Sequence, residues 1–174
     1  MGYAIAFVGP SKSGKTTIMD ELLARMPGDV TIIRSVTTRP QRDDEDAVYY
    51  EFISREEFER RIAADAFAHH VEHATNYYGT QRADIHAAMA SHRFCVGAFV
   101  EQGVLNLRRN GFTPIVIKII PEHYEPNPDP VRRKEDEARD RINLGPDLVV
   151  VNSFLPGGKA SAVEQVRVFL STLQ

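Results

Sequence analysis

Residues Gly9-Pro10-Ser11-Lys12-Ser13-Gly14-Lys15-Thr16 carry the spacing G-x-x-x-x-G-K-T, whose chemistry is phosphate binding. The glycines let backbone N–H groups curl around phosphate oxygens, and the start of the following helix adds partial positive charge. Lys15 can reach β- and γ-phosphates, and the Thr16 hydroxyl can ligate magnesium. ATP and Mg²⁺ are therefore the expected donor and metal. Gly9, Ser11, Ser13, Gly14, Lys15, Thr16 and Thr17 are the expected ATP-binding residues, with Lys15 acting in catalysis.

Such a P-loop works only between a strand and a helix, and both neighbours read that way. The apolar run Tyr3–Val8 precedes it as a buried strand, and residues 17–23 follow as a helix. Further along, residues 30–33 read as a strand, and 34–46 as a polar segment. Residues 49–53 form a short strand candidate. Ser54-Arg55-Glu56-Glu57 is a capping box, with Ser54 as N-cap and Glu57 reaching back. The helix after it carries Phe58, Ile62 and Phe67 toward a core, and Thr80 caps a helix over residues 81–91. Residues 94–100, 115–120 and 147–151 are continuous apolar runs, as in strands buried on both faces. A last helix from Lys159 sets Val163, Val166, Phe169 and Leu170 on one side. The alternation predicts an α/β fold with a parallel sheet. Residues 34–80 break that rhythm and read as an inserted lobe.

The bulk composition narrows the class. At 174 residues the chain reads as one domain, with neither an internal repeat nor a long linker. A formal net charge of −3 leaves no electrostatic footprint for a nucleic-acid partner. The lone Cys95 lies in an apolar run and reads as a small buried hydrophobe, so no disulfide framework exists within the chain. No apolar run reaches membrane-spanning length, and no signal peptide precedes the first strand. The expected setting is the cytoplasm, and the expected assembly a monomer or a homodimer.

Pro121, Pro126, Pro128 and Pro130 exclude a helix from their stretch. Residues 132–141 then suit a helix but have almost no apolar face. A helix polar all round is solvated or mobile, so 121–141 is a candidate lid.

Several stretches together resemble the guanylate kinase family. Ser35-Val36-Thr37-Thr38-Arg39-Pro40-Gln41-Arg42 looks like its S-x-T-T-R-x-x-R segment, and Glu45 with Tyr50-Glu51-Phe52 like its E…Y-x-F. Ser54-Arg55-Glu56-Glu57-Phe58, Asn76-Tyr77-Tyr78-Gly79-Thr80 and Val149-Val150-Val151-Asn152 look like its S-R-E-E-F, N-Y-Y-G-T and V-I-V-N. The matches run collinearly from Gly9 to Asn152. The resemblance implies a parallel-sheet P-loop kinase core (about residues 1–34, 81–120 and 142–174), an acceptor-binding lobe (about 35–80) and a lid (about 121–141). It implies that Arg39, Arg42, Tyr50 and Tyr78 hold the acceptor's phosphate. Arginine forks and tyrosine hydroxyls suit that task independently. Ser35, His69 and Thr80 are the remaining acceptor-side candidates, and Arg132, Arg133 and Arg141 the catalytic lid arginines.

The chain departs from the family at informative places. Lys12 stands where a glycine or another small residue is common. The family glutamate ahead of N-Y-Y-G, which contacts guanine, corresponds to His69. Its D-x-D before Q-G, whose first aspartate is a second guanine contact, corresponds to Ala98 and Val100. Glu72 and Glu101 are the carboxylates near enough in sequence to compensate. Only residues 142–148 separate Arg141 from Val149, where the family has a longer helix. His69, His70 and His73 lack the accompanying ligands of a zinc site. The activity implied is transfer of the ATP γ-phosphate to the phosphate of a nucleoside monophosphate, with GMP the family default. A phosphorylated sugar such as ribose 1,5-bisphosphate is the alternative acceptor. A non-catalytic interaction domain is the alternative role, and the intact P-loop argues against it.

Overall fold

The computed structural model describes residues 1–174 except Asp43, Glu45, Ala74, Asn127 and Asp129, and except the side chains of Asp46, Val131, Arg132, Glu135, Asp136 and Asp140 within helices. In chain order the elements begin with β1 (Tyr3–Val8), α1 (Lys15–Arg25) and β2 (Val30–Ile32). A second group follows: β3 (Ser35–Thr37), α2 (Asp46–Tyr49), β4 (Tyr50–Phe52), α3 (Arg55–Ala63), β5 (Phe67–His73) and β6 (Asn76–Gln81). Then come α4 (Arg82–Ser91), β7 (Phe94–Ala98), α5 (Glu101–Arg109), β8 (Ile115–Pro121), α6 (Pro130–Asp140), β9 (Leu148–Asn152) and α7 (Gly158–Thr172).

The apolar runs assemble a five-stranded parallel sheet in the order β2-β7-β1-β8-β9. On one face Ile5, Phe7, Phe94, Ile117 and Ile119 pack against Ile18 and Leu22 of α1 and Val163, Val166 and Leu170 of α7. On the other, Ala6, Val8, Cys95 and Val116 meet Ile85 of α4 and Val104 and Leu107 of α5. Full burial of such side chains contributes about 1.5–3 kcal/mol each. β1 lies between β7 and β8; the connection after β1 runs to β2 on one side and the connection after β7 runs to β8 on the other, so the P-loop opens at a topological switch point, where open α/β sheets bind ligands.

β9 corrects the expectation of strands buried on both faces. It is the sheet's edge, and its side chains alternate: Val150 and Asn152 are buried, whereas Val149 is 47% and Val151 54% exposed. The short 142–148 connection supplies no helix to cover that outer face.

Residues 35–81 form a separate four-stranded sheet, β4-β3-β6-β5. Its small core stacks Phe58 on Phe67 (centroids 4.4 Å apart) and on Tyr77 (5.1 Å), with Val36 beneath. Three local expectations are corrected here. Phe67 is a core residue but opens β5, after a turn through Asp65 at φ 50°. Ser54 Oγ accepts from the Glu57 N–H at 3.1 Å, but the Glu57 carboxylate turns to Arg60 and Arg61 instead of reaching back, because cations one turn on hold it more strongly. Gln81, not Thr80, is the N-cap of α4, since β6 runs on through Gln81 and the helix starts only at Arg82. The segment read as polar connection contains β3, which pairs with both β4 and β6.

Among the described residues, no helix is long and apolar enough to cross a membrane.

Candidate active site

The P-loop turns through residues that tolerate positive φ. Gly9 (φ 138°) lies so close to β8 that a Cβ would sit 2.1 Å from the Ile119 carbonyl oxygen. Gly14 (φ 92°) is the N-cap of α1, and a Cβ there would meet Asn152 Nδ2 at 2.3 Å. Asn152 is buried and donates from Nδ2 to the Ser13 carbonyl at 3.0 Å, bracing the loop from β9. The Lys15 ammonium donates to the carbonyls of Gly9 and Pro10 at 2.8 Å and to Ser13 Oγ at 3.3 Å, so it is held against the loop.

A cavity of about 750 Å³ opens from this loop toward the second sheet. Gly9, Ser11, Lys15 and Thr16 line its loop side; Ser35, Arg39, Arg42, Tyr50, His69 and Tyr78 line the opposite side. Ser13 is fully buried behind the loop, and Gly14 and Thr17 do not border the cavity. Thr16 is exposed in the first turn of α1, next to Lys15, where its hydroxyl fits a magnesium ion arriving with the nucleotide's phosphates.

Strand alternation decides which lobe residues face inward. On β5, His69, Val71 and His73 border the cavity, while His70 and Glu72 point out. Glu72 lies 3.9 Å from Arg55 on the outer surface. Glu101 is buried at the start of α5 and does not line the cavity. Among the described residues no group of three or more His, Cys, Asp and Glu side chains gathers as a metal site. Arg39 is only 8% exposed; its guanidinium lies 5.1 Å from the Tyr50 ring centroid and 5.4 Å from that of Phe52, and Nη1 donates to the Pro40 carbonyl at 2.9 Å. Tyr78 meets Tyr50 edge-on at 6.3 Å.

Thr80 is corrected as an acceptor-side residue. It faces inward on β6 but is fully buried behind its cross-strand neighbour His69, with its hydroxyl 3.2 Å from His69 Nε2. His69 Nδ1 has no hydrogen-bond partner among the described residues and lies against α5, 3.2 Å from where a Gly103 Cβ would stand. The cavity therefore meets the carbon edge of this ring. Ile33, Val71, Ala98, Phe99 and Val100 complete an apolar wall around it.

Burial, with a smaller contribution from His70, lowers the His69 pKa from 6.5 to about 4. The unfolded chain then binds a proton near pH 6.5 that the fold refuses until about pH 4, so acid favours unfolding across that window. The expected loss between pH 6.5 and 4 is about 3 kcal/mol, with no further contribution below. Denaturant titrations of wild type and His69→Gln check this: the variant should lack that part of the acid loss, and parallel curves would show that His69 is not its source.

The arginines expected on a lid are also placed differently. Arg133 is exposed on α6, Arg141 lies in the turn beyond it, and neither borders the cavity; the Arg132 side chain lies outside the described residues, as does Glu45. Arg139 lines the cavity instead, with Nη2 3.2 Å from His73 Nε2 across the cleft. Helical phase separates Arg139 from Arg133 by about a third of a turn. Sequence reasoning also missed Tyr49, whose hydroxyl donates to Asp20 on α1 and ties the lobe to the core, and Asn76 and His73. Counting by two from Tyr78 and His69 would have found the last pair.

The sequence model of the family described as guanylate kinase matches residues 2–145. The guanylate kinase of Symbiobacterium thermophilum is 36% identical over 97% of this chain and 84% of its own length. The human guanylate kinase is 32% identical over 79% of this chain and 71% of its own. A crystal structure of guanylate kinase from Anaplasma phagocytophilum superimposes with a TM-score of 0.71, at 21% identity, covering 98% of this chain and 85% of that one, which speaks for the fold. With its phosphate loop formed and its sequence matched along nearly its whole length, this ATP- and magnesium-dependent P-loop phosphotransferase belongs to the guanylate kinase family.

Proposed function

We propose that the chain transfers the γ-phosphoryl group of ATP to the phosphate of a nucleoside monophosphate whose base is held by apolar contact, with GMP a weak acceptor. In this reading the β3–β6 sheet is the acceptor lobe, and residues 121–141 close over the cleft as a lid. The observation that carries the reading is the cavity's composition: arginines and tyrosines facing the P-loop across it, and an apolar wall of Ile33, Val71, Ala98, Phe99 and Val100 beside them. A planar base suits that wall better than a phosphorylated sugar, whose hydroxyls would lose hydrogen bonds to water without replacement.

The chemistry is direct in-line transfer, which rests on positioning and charge neutralisation. Lys15 binds the donor's phosphates from within the loop. Arg39 and Arg42, with the hydroxyls of Tyr50 and Tyr78, fix the attacking phosphate, and Ser35 reaches the acceptor's distal part. Arg139 approaches from the lid side. The acceptor phosphate is ionised at neutral pH, so no general base is required. Thr16 would hold Mg²⁺ together with the nucleotide's phosphates, and the ion supplies charge neutralisation at the transferring group. An ATP-consumption screen over nucleoside monophosphates and phosphorylated sugars tests the assignment. GMP as the best substrate, or a sugar phosphate as the best, would each overturn it.

Arg39 gives a sharper check. A charge-assisted hydrogen bond contributes about 1.5–3 kcal/mol, so Arg39→Ala should lower kcat/KM by about 10- to 100-fold. The acceptor's KM should rise while that of ATP holds. Arg39→Lys keeps the charge but loses the fork and should fall between the two. Unchanged acceptor kinetics in Arg39→Ala would remove Arg39 from the phosphate site.

A further inference from the structure

The P-loop contains one residue that its backbone does not favour. Gly9, Lys12 and Gly14 all have positive φ, and Lys12, at 62°, sits in the left-handed region that glycine occupies without steric cost. Strain of this kind persists where the surroundings hold it, and it clusters at ligand clamps. Lys12 is exposed at the crest of the loop and lines the cavity. Among the described residues, no hydrogen bond or ion pair holds its ammonium. Lys15 differs: its ammonium is bonded to three atoms of the loop. The loop thus presents two cations to one cavity, one bonded to the loop and one exposed at its crest.

We infer that Lys12 is a phosphate-binding residue of the transfer site, closing on the donor's phosphate chain from the side opposite Lys15. This rests on reading the cavity as the place of phosphoryl transfer. A flexible four-carbon stem with a compact charge suits a group that must let the nucleotide enter and then close on it. The backbone N–H groups and Lys15 cover the inner side of the phosphates. Lys12 supplies charge on the outer side, toward Arg39, Arg42 and Arg139, where negative charge from donor and acceptor accumulates.

Lys12→Gly separates this role from a structural one, because glycine relieves the backbone while removing the cation. The variant should unfold at the same temperature as wild type or higher, yet lose about 10- to 100-fold in kcat/KM for ATP. Lys12→Arg should retain most activity, and added salt should weaken Mg·ATP binding more in wild type than in Lys12→Gly. Equal kinetics in Lys12→Gly and wild type would overturn the inference and leave the transfer reading intact. If wild type phosphorylates no acceptor in the screen, the transfer reading fails. Calorimetry with Mg·ATP then judges Lys12 alone: weakening of about tenfold or more in Lys12→Gly supports it, and equal affinity overturns it.

Discussion

With GMP as acceptor, kcat/KM is expected to lie about 10²–10⁴ below that with the chain's own substrate. Guanine presents N1–H and N2–H₂ as donors, and the resemblance implies that family members meet them with carboxylates. On that resemblance the positions fall on His69 and Ala98. Ala98 offers no side-chain acceptor. One His69 nitrogen is bonded to Thr80 and the other is pressed against α5. Two lost charge-assisted contacts at about 1.5–3 kcal/mol each produce the stated range. Compensation by a neighbouring acid finds no support in the geometry, since Glu72 pairs outward with Arg55 and Glu101 does not border the cavity. A kcat/KM for GMP of about 10⁶ M⁻¹s⁻¹, well inside the efficient range, would defeat this expectation.

Replacing Lys15 by alanine should remove phosphoryl transfer while the protein stays folded. The ammonium is the charge that the loop orients from within, and losing a preorganised contact to the reacting group costs about 10²–10³ in kcat. Its stem is not part of the sheet cores, which are built from Ile5, Phe7, Ile18, Leu22 and their partners. The change in melting temperature should therefore be small. Its bonds to Gly9 and Pro10 also hold the loop's turn, so Mg·ATP affinity should fall as well. Steady-state kinetics and calorimetry on Lys15→Ala and Lys15→Arg check both. Transfer by Lys15→Ala within tenfold of wild type would show that the P-loop lysine is not the principal cation.

Much of this molecule follows from local pattern. The P-loop is contiguous, so its eight residues, the strand before it and the helix after it announce the donor site together. Long apolar runs such as residues 115–120 announce core strands, because only burial stabilises so much apolar surface. Arg39, Arg42, Tyr50 and Tyr78 were expected together from the sequence, and they do converge on one cavity.

Tertiary structure decided the rest, through three kinds of nonlocal fact. Sheet partners define β3, since three residues with little apolar pattern become a strand only between β4 and β6. Register and facing determine that His69 enters the cavity wall while Thr80 is sealed behind it and Glu72 turns to solvent. Sheet order makes β9 an edge with two exposed valines, although its sequence resembles an interior strand. Arg139 is the clearest case: its neighbours in sequence are equally charged, and composition ranks none above another. Only the phase of α6 across the cleft brings that arginine, and not Arg133 or Arg141, to the cavity, because a helix turns each successive side chain by about 100° and the opposing wall selects one direction.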